Sequence, residues 1–320
     1  MFSVVIPLFN KSQTILTTLS TVLNQTFKDF EIVIVNDGST DNSIQIIREF
    51  TSDSRIKIVE HENQGVSVAR NTGVNHANFN FIAFLDGDDE WLPQYLSKMK
   101  EAIELFPAAE MFCSAGLGRN EKGYSKNRQI DKYDNKVVEF NFFENPHVFL
   151  HISATVVTKQ LFFKVDGFTA GMKRNEDFAF LYSAALLTQP IYSGFPLSIY
   201  VGGVDGQATR SSIYQDIDLL RDIANRYNIV YKNWLKTPDK NTLFIVFTKY
   251  ELRHFLMINV INKQFTANHQ FIKFLNPQIF NLFNVLEVFL LRSSKLAQVY
   301  ILYVKLSKLR WMMRGFQRVK

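Results

Sequence analysis

The sequence predicts an α/β protein built on a mostly parallel sheet with helices on both faces, followed by a helical C-terminal region. Three observations carry this reading. From Phe2 to Phe106, short β-branched runs alternate with segments of helical periodicity, the pattern of a parallel sheet covered on both sides. The runs stop abruptly at "PLFNK", "NDGSTD" and "LDGDDE", polar stretches suited to the ligand-binding carboxyl edge of such a sheet. From about Ser211 onward the apolar spacing is helical and aromatic-rich. The implied division is 1–210 and 211–320.

The elements follow in order. "FSVVIPLF" (Phe2–Phe9) is a β-branched run feeding a loop. "SQTILTTLSTVLNQ" carries Ile15, Leu19 and Val22 at helical spacing, with Ser12 as its expected N-cap. "FEIVIVN" (Phe30–Asn36) is the second strand, closed by the Asp37-Gly38 turn. Ser39 or Thr40 is expected to cap the next helix, "DNSIQIIREF". "RIKIVEH" reads as a third strand, "GVSVARNTGVNHA" as a helix and "FNFIAFL" as a fourth strand. "LPQYLSKMKEAIELF" is a helix with Pro93 in its first turn. Between Gly116 and Pro146 the pattern gives way to polar residues, read as a long mobile loop or hairpin of the kind used as a lid. "SATVVTK" (Ser153–Lys159) is a strand, Arg174–Leu187 a helix opening with acids, and "PIYSGFPLSIYVGG" closing strands. No internal repeat or low-complexity segment stands out.

Composition narrows the class. The 47% hydrophobic and 21% charged residues are those of an ordinary globular protein, and 320 residues can bury a full core. One cysteine, Cys113, cannot form an intramolecular disulfide, which fits a reducing compartment. The N-terminus starts directly into a strand, so no secretory signal is expected. No apolar run is long enough for a spanning helix. The net charge of +6 is compatible with anionic substrates, a membrane surface or nucleic acid.

Asp86, Asp88, Asp89 and Glu90 crowd the end of the fourth strand. A tight turn followed by helix-start acids accounts for Asp89 and Glu90. Asp86 and Asp88 flank a glycine, and two carboxylates so spaced can reach one hard cation. Mg²⁺ takes one or two carboxylates plus substrate phosphates. Asp37 ends the second strand, where nucleotide-binding folds place an acid that reads a ribose or base, though "NDGS" alone is also a plain turn. "PLFNKSQT" lacks G-x-G-x-x-G, so a bound diphosphate has no glycine cradle and needs a metal. The acids of "NED" (Asn175–Asp177) are either helix-start residues or a base on the rim.

Taken together, "VVIPLFNK", "NQTFKDFEIVIVNDGSTD", "NQGVSVARNTGVNHA", "FIAFLDGDDEWLP", "DGF" (Asp166–Phe168) and "NED" resemble, in order and spacing, a family 2 glycosyltransferase of the GT-A fold. The likeness covers roughly Phe2–Ser211. "NHANFNF" departs from it where the family usually has a glycine and an acid. The resemblance implies that Phe9 lies against the nucleotide base and that Asp37 hydrogen-bonds to it. It implies that Arg70 approaches the base or diphosphate. Asp86 would contact the ribose or metal side, and Asp88 would ligate Mg²⁺ or Mn²⁺ directly. Asp177 would be the catalytic base, with Glu176 shaping the acceptor pocket. The implied reaction is inverting transfer of a sugar from a nucleotide-diphosphate donor, a UDP-sugar, to a hydroxyl of a glycan in surface polysaccharide synthesis.

The C-terminal tail bears on the acceptor. Val299, Leu302, Leu306, Leu309, Met313 and Phe316 recur at spacings of three and four. No acid follows Glu287, while Arg292, Lys295, Lys305, Lys308, Arg310, Arg314, Arg318 and Lys320 do. A basic amphipathic helix suits an anionic inner-leaflet surface, implying peripheral contact with the cytoplasmic face of the membrane and a lipid-linked acceptor. Alternatively, the stripe packs on the catalytic domain. Nucleic acid is not expected, since no nucleic-acid fold signature accompanies the charge. A catalytically silent family member acting as a scaffold subunit is the alternative function, against which stand the intact Asp37, Asp86, Asp88 and Asp177. A sugar nucleotidyltransferase would need a glycine-rich, arginine-containing first loop, which "PLFNKSQT" is not.

Overall fold

The computed structural model describes residues 1–126, 131–145, 150–203, 216–238, 242–291 and 296–313. They divide into two compact units, Met1–Phe140 with Val148–Met172 and Leu187–Ala208, and Asn141–His147 with Lys173–Leu186 and Thr209–Lys320. The position 210/211, where the sequence suggests a boundary, lies outside the described residues.

The first unit is the α/β one. Its opening elements are β1 (Phe2–Leu8), α1 (Ile15–Leu23), β2 (Phe30–Asp37), α2 (Ser43–Phe50), β3 (Ile56–His61), α3 (Val66–His76) and β4 (Phe81–Phe84). Then come β5 (Glu90–Trp91), α4 (Tyr95–Leu105), β6 (Met111–Asn120), β7 (Gly123–Lys126) and β8 (Val137–Glu139). It closes with β9 (Thr155–Thr158), α5 (Lys159–Lys164) and, after α6 (Glu176–Leu187) of the second unit, β10 (Ile191–Val201). The sheet runs β3-β2-β1-β4-β9-β6-β10-β5, with β7 on β6 and β8 on β10. Strands β3, β2, β1 and β4 are mutually parallel, which puts their carboxyl ends on one edge. The antiparallel β9 separates them from the parallel pair β6 and β10.

Strand β1 is buried along its whole length, as a parallel strand covered on both faces must be. On one face Val4, Ile6 and Leu8 pack in a single cluster with Ile15, Leu19 and Val22 of α1 and with Leu96 and Met99 of α4. On the other face lies α3. Gly73 makes its approach possible: a Cβ there would fall 2.3 Å from Val5 Cγ1. That close packing sets the height of Arg70, one turn earlier on the same helix.

Several local expectations are corrected. Helix α1 starts at Ile15, with no side-chain cap from Ser12, whose N–H instead donates to Asp41 Oδ2 (3.0 Å). Helix α2 starts at Ser43, and Ser39 Oγ accepts from Asn10 N–H (3.1 Å) rather than capping it. Tertiary hydrogen bonds between the first two βα turns, made by the Ser12 backbone N–H and the Ser39 hydroxyl, stand in place of those caps. Pro93 precedes α4, which begins at Tyr95. Of the loop or hairpin expected over Gly116–Pro146, the hairpin is present, but much of the stretch is sheet rather than loop. It finishes β6, turns into the β7 hairpin and contributes β8 to the sheet, with residues 127–130 and Pro146 outside the described residues. The closing strands are one strand, β10, whose register shifts on either side of Pro196, because proline cannot donate to the ladder.

The second unit is helical: α6, α7 (Ile217–Lys236), α8 (Thr242–Ile261), α9 (Phe265–Phe274), α10 (Pro277–Phe280), α11 (Val285–Leu291) and α12 (Ala297–Met313). Its aromatic residues form its interior, with Phe142 and Tyr182 against Phe247 (5.3 and 5.2 Å between ring centres) and Phe143 against Phe244 (5.6 Å). Arg253 of α8 donates from Nε (2.6 Å) and Nη2 (2.9 Å) to the fully buried Glu287 of α11. Helix α12 buries Tyr300 and Val304 and leaves Val299, Leu302, Leu306 and Leu309 each at least half exposed. The side chain of Met313 and all of Phe316, Arg314 and Arg318 lie outside what is described. No helix among the described residues is long and apolar enough to cross a membrane.

Candidate active site

The carboxyl ends of β1, β2 and β4 bring Phe9, Asp37 and the acids after Phe84 to one edge, and β4 continues into them through a Leu85 N–H bond to Val5 O (3.1 Å). Each acid has its own fixed partner. Asp86 Oδ1 accepts from Arg70 Nη2 (2.6 Å), and its backbone N–H donates to Ser153 Oγ (3.0 Å). Asp88 Oδ2 lies 2.6 Å from Lys11 Nζ, supplied by the loop after β1. Gly87 between them presses on that loop: a Cβ would sit 3.3 Å from Pro7 O and 3.4 Å from Lys11 Cγ. Thr14 Oγ1 donates to Gly87 O (2.8 Å).

Asp89 and Glu90 do not start a helix. Both are buried, well before α4. Asp89 accepts from Ser153 Oγ (2.7 Å) and Val201 N–H (3.1 Å), with His151 Nε2 at 3.2 Å. Glu90 forms a two-pronged ion pair with Arg119 of β6, one contact at 2.8 Å. These acids tie the loop after β4 to β6 and β10, which sequence spacing alone does not reveal.

The electrostatics separate Asp86 from Asp88. Burial acts to raise the Asp86 pKa, but the Arg70 guanidinium, helped by His151 and Lys11, holds it below the usual carboxylate range. Burial pushes Asp88 up, the charges of Asp89 and Asp86 add to this, and Lys11 opposes it. Asp88 is thus an electron-rich carboxylate crowded by like charges and already holding a cationic group.

That environment fits a divalent cation. Among the described residues no group of three or more His, Cys, Asp or Glu side chains could hold a metal ion by itself. Two carboxylates with a third party's phosphates is the arrangement hard cations such as Mg²⁺ accept without a protein cage. The Lys11 ammonium offsets the Asp88 charge that such a cation would otherwise offset.

Around these acids, Asp37 is 2% exposed and its oxygens accept the N–H groups of Gln64 (2.7 Å) and Gly65 (2.9 Å). His61 Nδ1 lies 3.3 Å from Oδ1 as well, so Asp37 shapes the entry to α3. Phe9 is exposed at the end of β1. Arg70 is buried, its guanidinium 5.1 Å from the centre of the Phe168 ring. Phe168 belongs to "DGF" and is pinned by Asn71, which accepts its N–H (2.9 Å) and donates to its C=O (2.8 Å). The motifs "ARN" and "DGF" are thus one physical cluster supporting Asp86.

Glu176 and Asp177 open α6 in the second unit, Glu176 buried and Asp177 partly exposed. Asp177 Oδ1 accepts from Phe178 N–H (2.7 Å). Sequence reasoning assigns no role to Lys11, Asn71, Phe168 or Ser153. Asn71 and Phe168 lay inside quoted motifs and could have been found there. Ser153 and His151 carry no local signal, since they come from the strand entry nearly 70 positions away.

Comparison with known proteins agrees with this fold. Over 108 residues the chain is 45% identical to Glycosyltransferase GlyA of Streptococcus pneumoniae, a match covering 33% of this chain and 15% of that protein. Over 95 residues it is 41% identical to UDP-Glc:alpha-D-GlcNAc-diphosphoundecaprenol beta-1,3-glucosyltransferase WfgD of Escherichia coli, covering 29% of this chain and 37% of that one. The chain thus spans well under half the length of these curated relatives. The solved structure of S. aureus TarS 1-349 in complex with UDP-GlcNAc superposes with a TM-score of 0.68 at 19% identity, over 97% of this chain and 91% of that one. At that identity the likeness establishes the fold, which is the GT-A fold expected. The description "Glycosyl transferase family 2" matches residues 3–175, more than half of the chain and every element from β1 to the start of "NED", so the protein belongs to glycosyl transferase family 2.

Proposed function

We propose that this protein is a metal-dependent, inverting glycosyltransferase that moves a sugar from a UDP-sugar to a hydroxyl of a lipid-linked glycan in surface polysaccharide synthesis. The observation that carries the reading is the Arg70–Asp86 and Lys11–Asp88 arrangement at the carboxyl edge of β1 and β4. It pairs carboxylates for a cation with cations for a diphosphate, inside the region that matches the family. The TarS structures with UDP and UDP-GlcNAc and the name of WfgD support a uridine diphosphate donor.

In this mechanism Phe9 stacks on the base and Asp37 accepts from it. Arg70 turns toward the diphosphate. Asp86 and Asp88 would hold Mg²⁺ or Mn²⁺, whose charge offsets what builds on the departing diphosphate. Asp177 takes the proton of the acceptor hydroxyl as its oxygen bonds to the anomeric carbon. The bond from that carbon to the diphosphate oxygen breaks, and its electron pair leaves with the nucleoside diphosphate. Glu176 shapes the acceptor side. One displacement inverts the anomeric centre.

Peripheral attachment to the cytoplasmic face of the membrane belongs to the same proposal. Val299, Leu302, Leu306 and Leu309 on α12, with Leu286 and Phe289 on α11, expose apolar surface, and Lys305 is exposed beside them. A basic residue near an anionic leaflet contributes about 1 kcal/mol. The acceptor named for WfgD is a diphosphoundecaprenol-linked sugar.

A panel of nucleotide sugars tested for protection against melting, with Mn²⁺ and with EDTA, decides the donor reading. A ligand at 100 times its Kd adds about 2.7 kcal/mol. A UDP-sugar should raise Tm with metal present and far less with EDTA. If no nucleotide sugar raises Tm under either condition, the reading is wrong.

A further inference from the structure

Helix α7 lies outside the family match, yet two of its side chains grip the segment that precedes α6. Asp222 Oδ2 accepts the backbone N–H of Lys173 (3.0 Å) and of Arg174 (3.2 Å). Four residues later, on the same face of the helix, Arg226 Nη1 donates to Asn175 Oδ1 (3.1 Å). Three consecutive residues, 173 to 175, are therefore held by one helix face.

What they hold is an uncommon conformation. Asn175 has φ of 63°, in the left-handed region, which asparagine tolerates better than other non-glycine residues but which still needs neighbours to select it. Its carbonyl accepts the Ala179 N–H (3.0 Å), so it sets the first turn of α6. That turn carries Glu176 and Asp177. Arg226 also grips α6 itself. Its guanidinium lies 5.5 Å from the Phe178 ring centre and 5.6 Å from that of Tyr182, and Nη2 donates to Tyr227 Oη (2.6 Å). Phe178 is the residue next to Asp177. A largely buried arginine that contacts the residues on both sides of "ED" through its Nη1 and the face of its guanidinium fixes the direction from which Asp177 leaves the backbone.

We propose that Asp222 and Arg226 are positioning residues for Asp177: the α7 face fixes the left-handed Asn175 and so aims the carboxylate that takes the acceptor proton. This rests on the proposed role of Asp177 as base. It assigns to the region beyond the family match a part in the chemistry, not only in the packing.

The test is a double-mutant cycle on the full chain. Arg226→Met, Asp177→Asn and their combination are assayed for hydrolysis of UDP-glucose and UDP-N-acetylglucosamine with Mn²⁺, well below each variant's Tm. A catalytic group displaced by about 1 Å can lose on the order of 10²-fold in rate. Arg226→Met should lower kcat by about 10- to 100-fold with donor KM nearly unchanged, and adding it to Asp177→Asn should cost little more, since both act through one group. Asn175→Gly supplies the same measurement without burying an altered side chain. It relieves the left-handed strain but removes the Oδ1 link, so kcat should fall while Tm holds. Arg226→Lys should recover only part of the rate, lacking the planar fork. If Asp177→Asn is impaired but Arg226→Met and Asn175→Gly keep full kcat, the positioning proposal is overturned and the base assignment stands. Fully additive losses also overturn it. If Asp177→Asn retains full kcat, the base assignment falls and the positioning proposal with it.

Discussion

Replacing Arg70 by Met tests whether the acid-rich edge is held together as described. The substitution keeps much of the volume in a site where Arg70 is 2% exposed and removes the charge 2.6 Å from Asp86. Removing one partner of a fully buried pair costs about 3–5 kcal/mol. The Asp86 side chain is 27% exposed, so water recovers part of this, and about 2–4 kcal/mol is expected. For a unit of this size that is a fall in Tm of roughly 5–15 °C. The pH dependence has a definite sign. In the native protein the Asp86 pKa is depressed despite burial, chiefly by Arg70, so its contribution is present above the unfolded value of ~3.9 and lost only as pH falls through the lower folded value. In Arg70→Met, burial is opposed only by the weaker charges of His151 and Lys11, so the folded pKa should rise. The penalty is then full at pH 7 and shrinks as Asp86 takes up a proton on acidification. Urea titrations of both proteins at pH 7 and pH 4.5, in EDTA, measure this directly. Arg70→Lys, which keeps the charge but not the fork, should lose less. A loss under about 1 kcal/mol at pH 7, or a gap that fails to narrow at pH 4.5, would refute the reasoning.

Three further outcomes are expected. Asp88→Ala should lose the metal-dependent rise in Tm produced by a UDP-sugar, while its Tm without ligand stays the same or increases, since removing a crowded carboxylate relieves the repulsion from Asp86 and Asp89; calorimetric Mn²⁺ titration in the presence of UDP reads the same loss. Asp177→Asn should cut kcat by about 10²–10⁴ with donor affinity little changed, and NMR of the wild-type product should show an inverted anomeric centre. Leu302→Ser with Leu306→Ser, two exposed residues of α12, should weaken co-sedimentation with phosphatidylserine vesicles at every salt concentration. Wild-type binding should also weaken from low salt toward 0.15 M, where screening shortens to about 8 Å; a wild-type chain that ignores such vesicles at low salt ends the membrane reading.

The sequence by itself determined the parallel core and the edge on which its motifs meet. Periodicity is a local property, and a parallel strand buried on both faces has to read as an apolar run, so β1, β2 and β4 and the acids that follow β4 were legible in order. The spacing of Ile15, Leu19 and Val22 likewise announced the buried face of α1. Capping was misread at Ser12, Ser39 and Thr40 because those assignments assume a side chain serves its own helix, and here the first two βα turns exchange hydrogen bonds across the sheet edge. Asp89 and Glu90 were misread for a related reason. An acid just before a helix is indistinguishable in sequence from one buried against Ser153, His151 or Arg119. On α12 the apolar stripe was legible, but two other residues, Tyr300 and Val304, proved to be the buried ones. Only the tertiary structure could decide these points. A charge or a methyl group acquires its energy from what the fold brings within a few ångströms of it, and for Asp86, Asp89 and Asn175 those partners include residues more than 50 positions away in the chain.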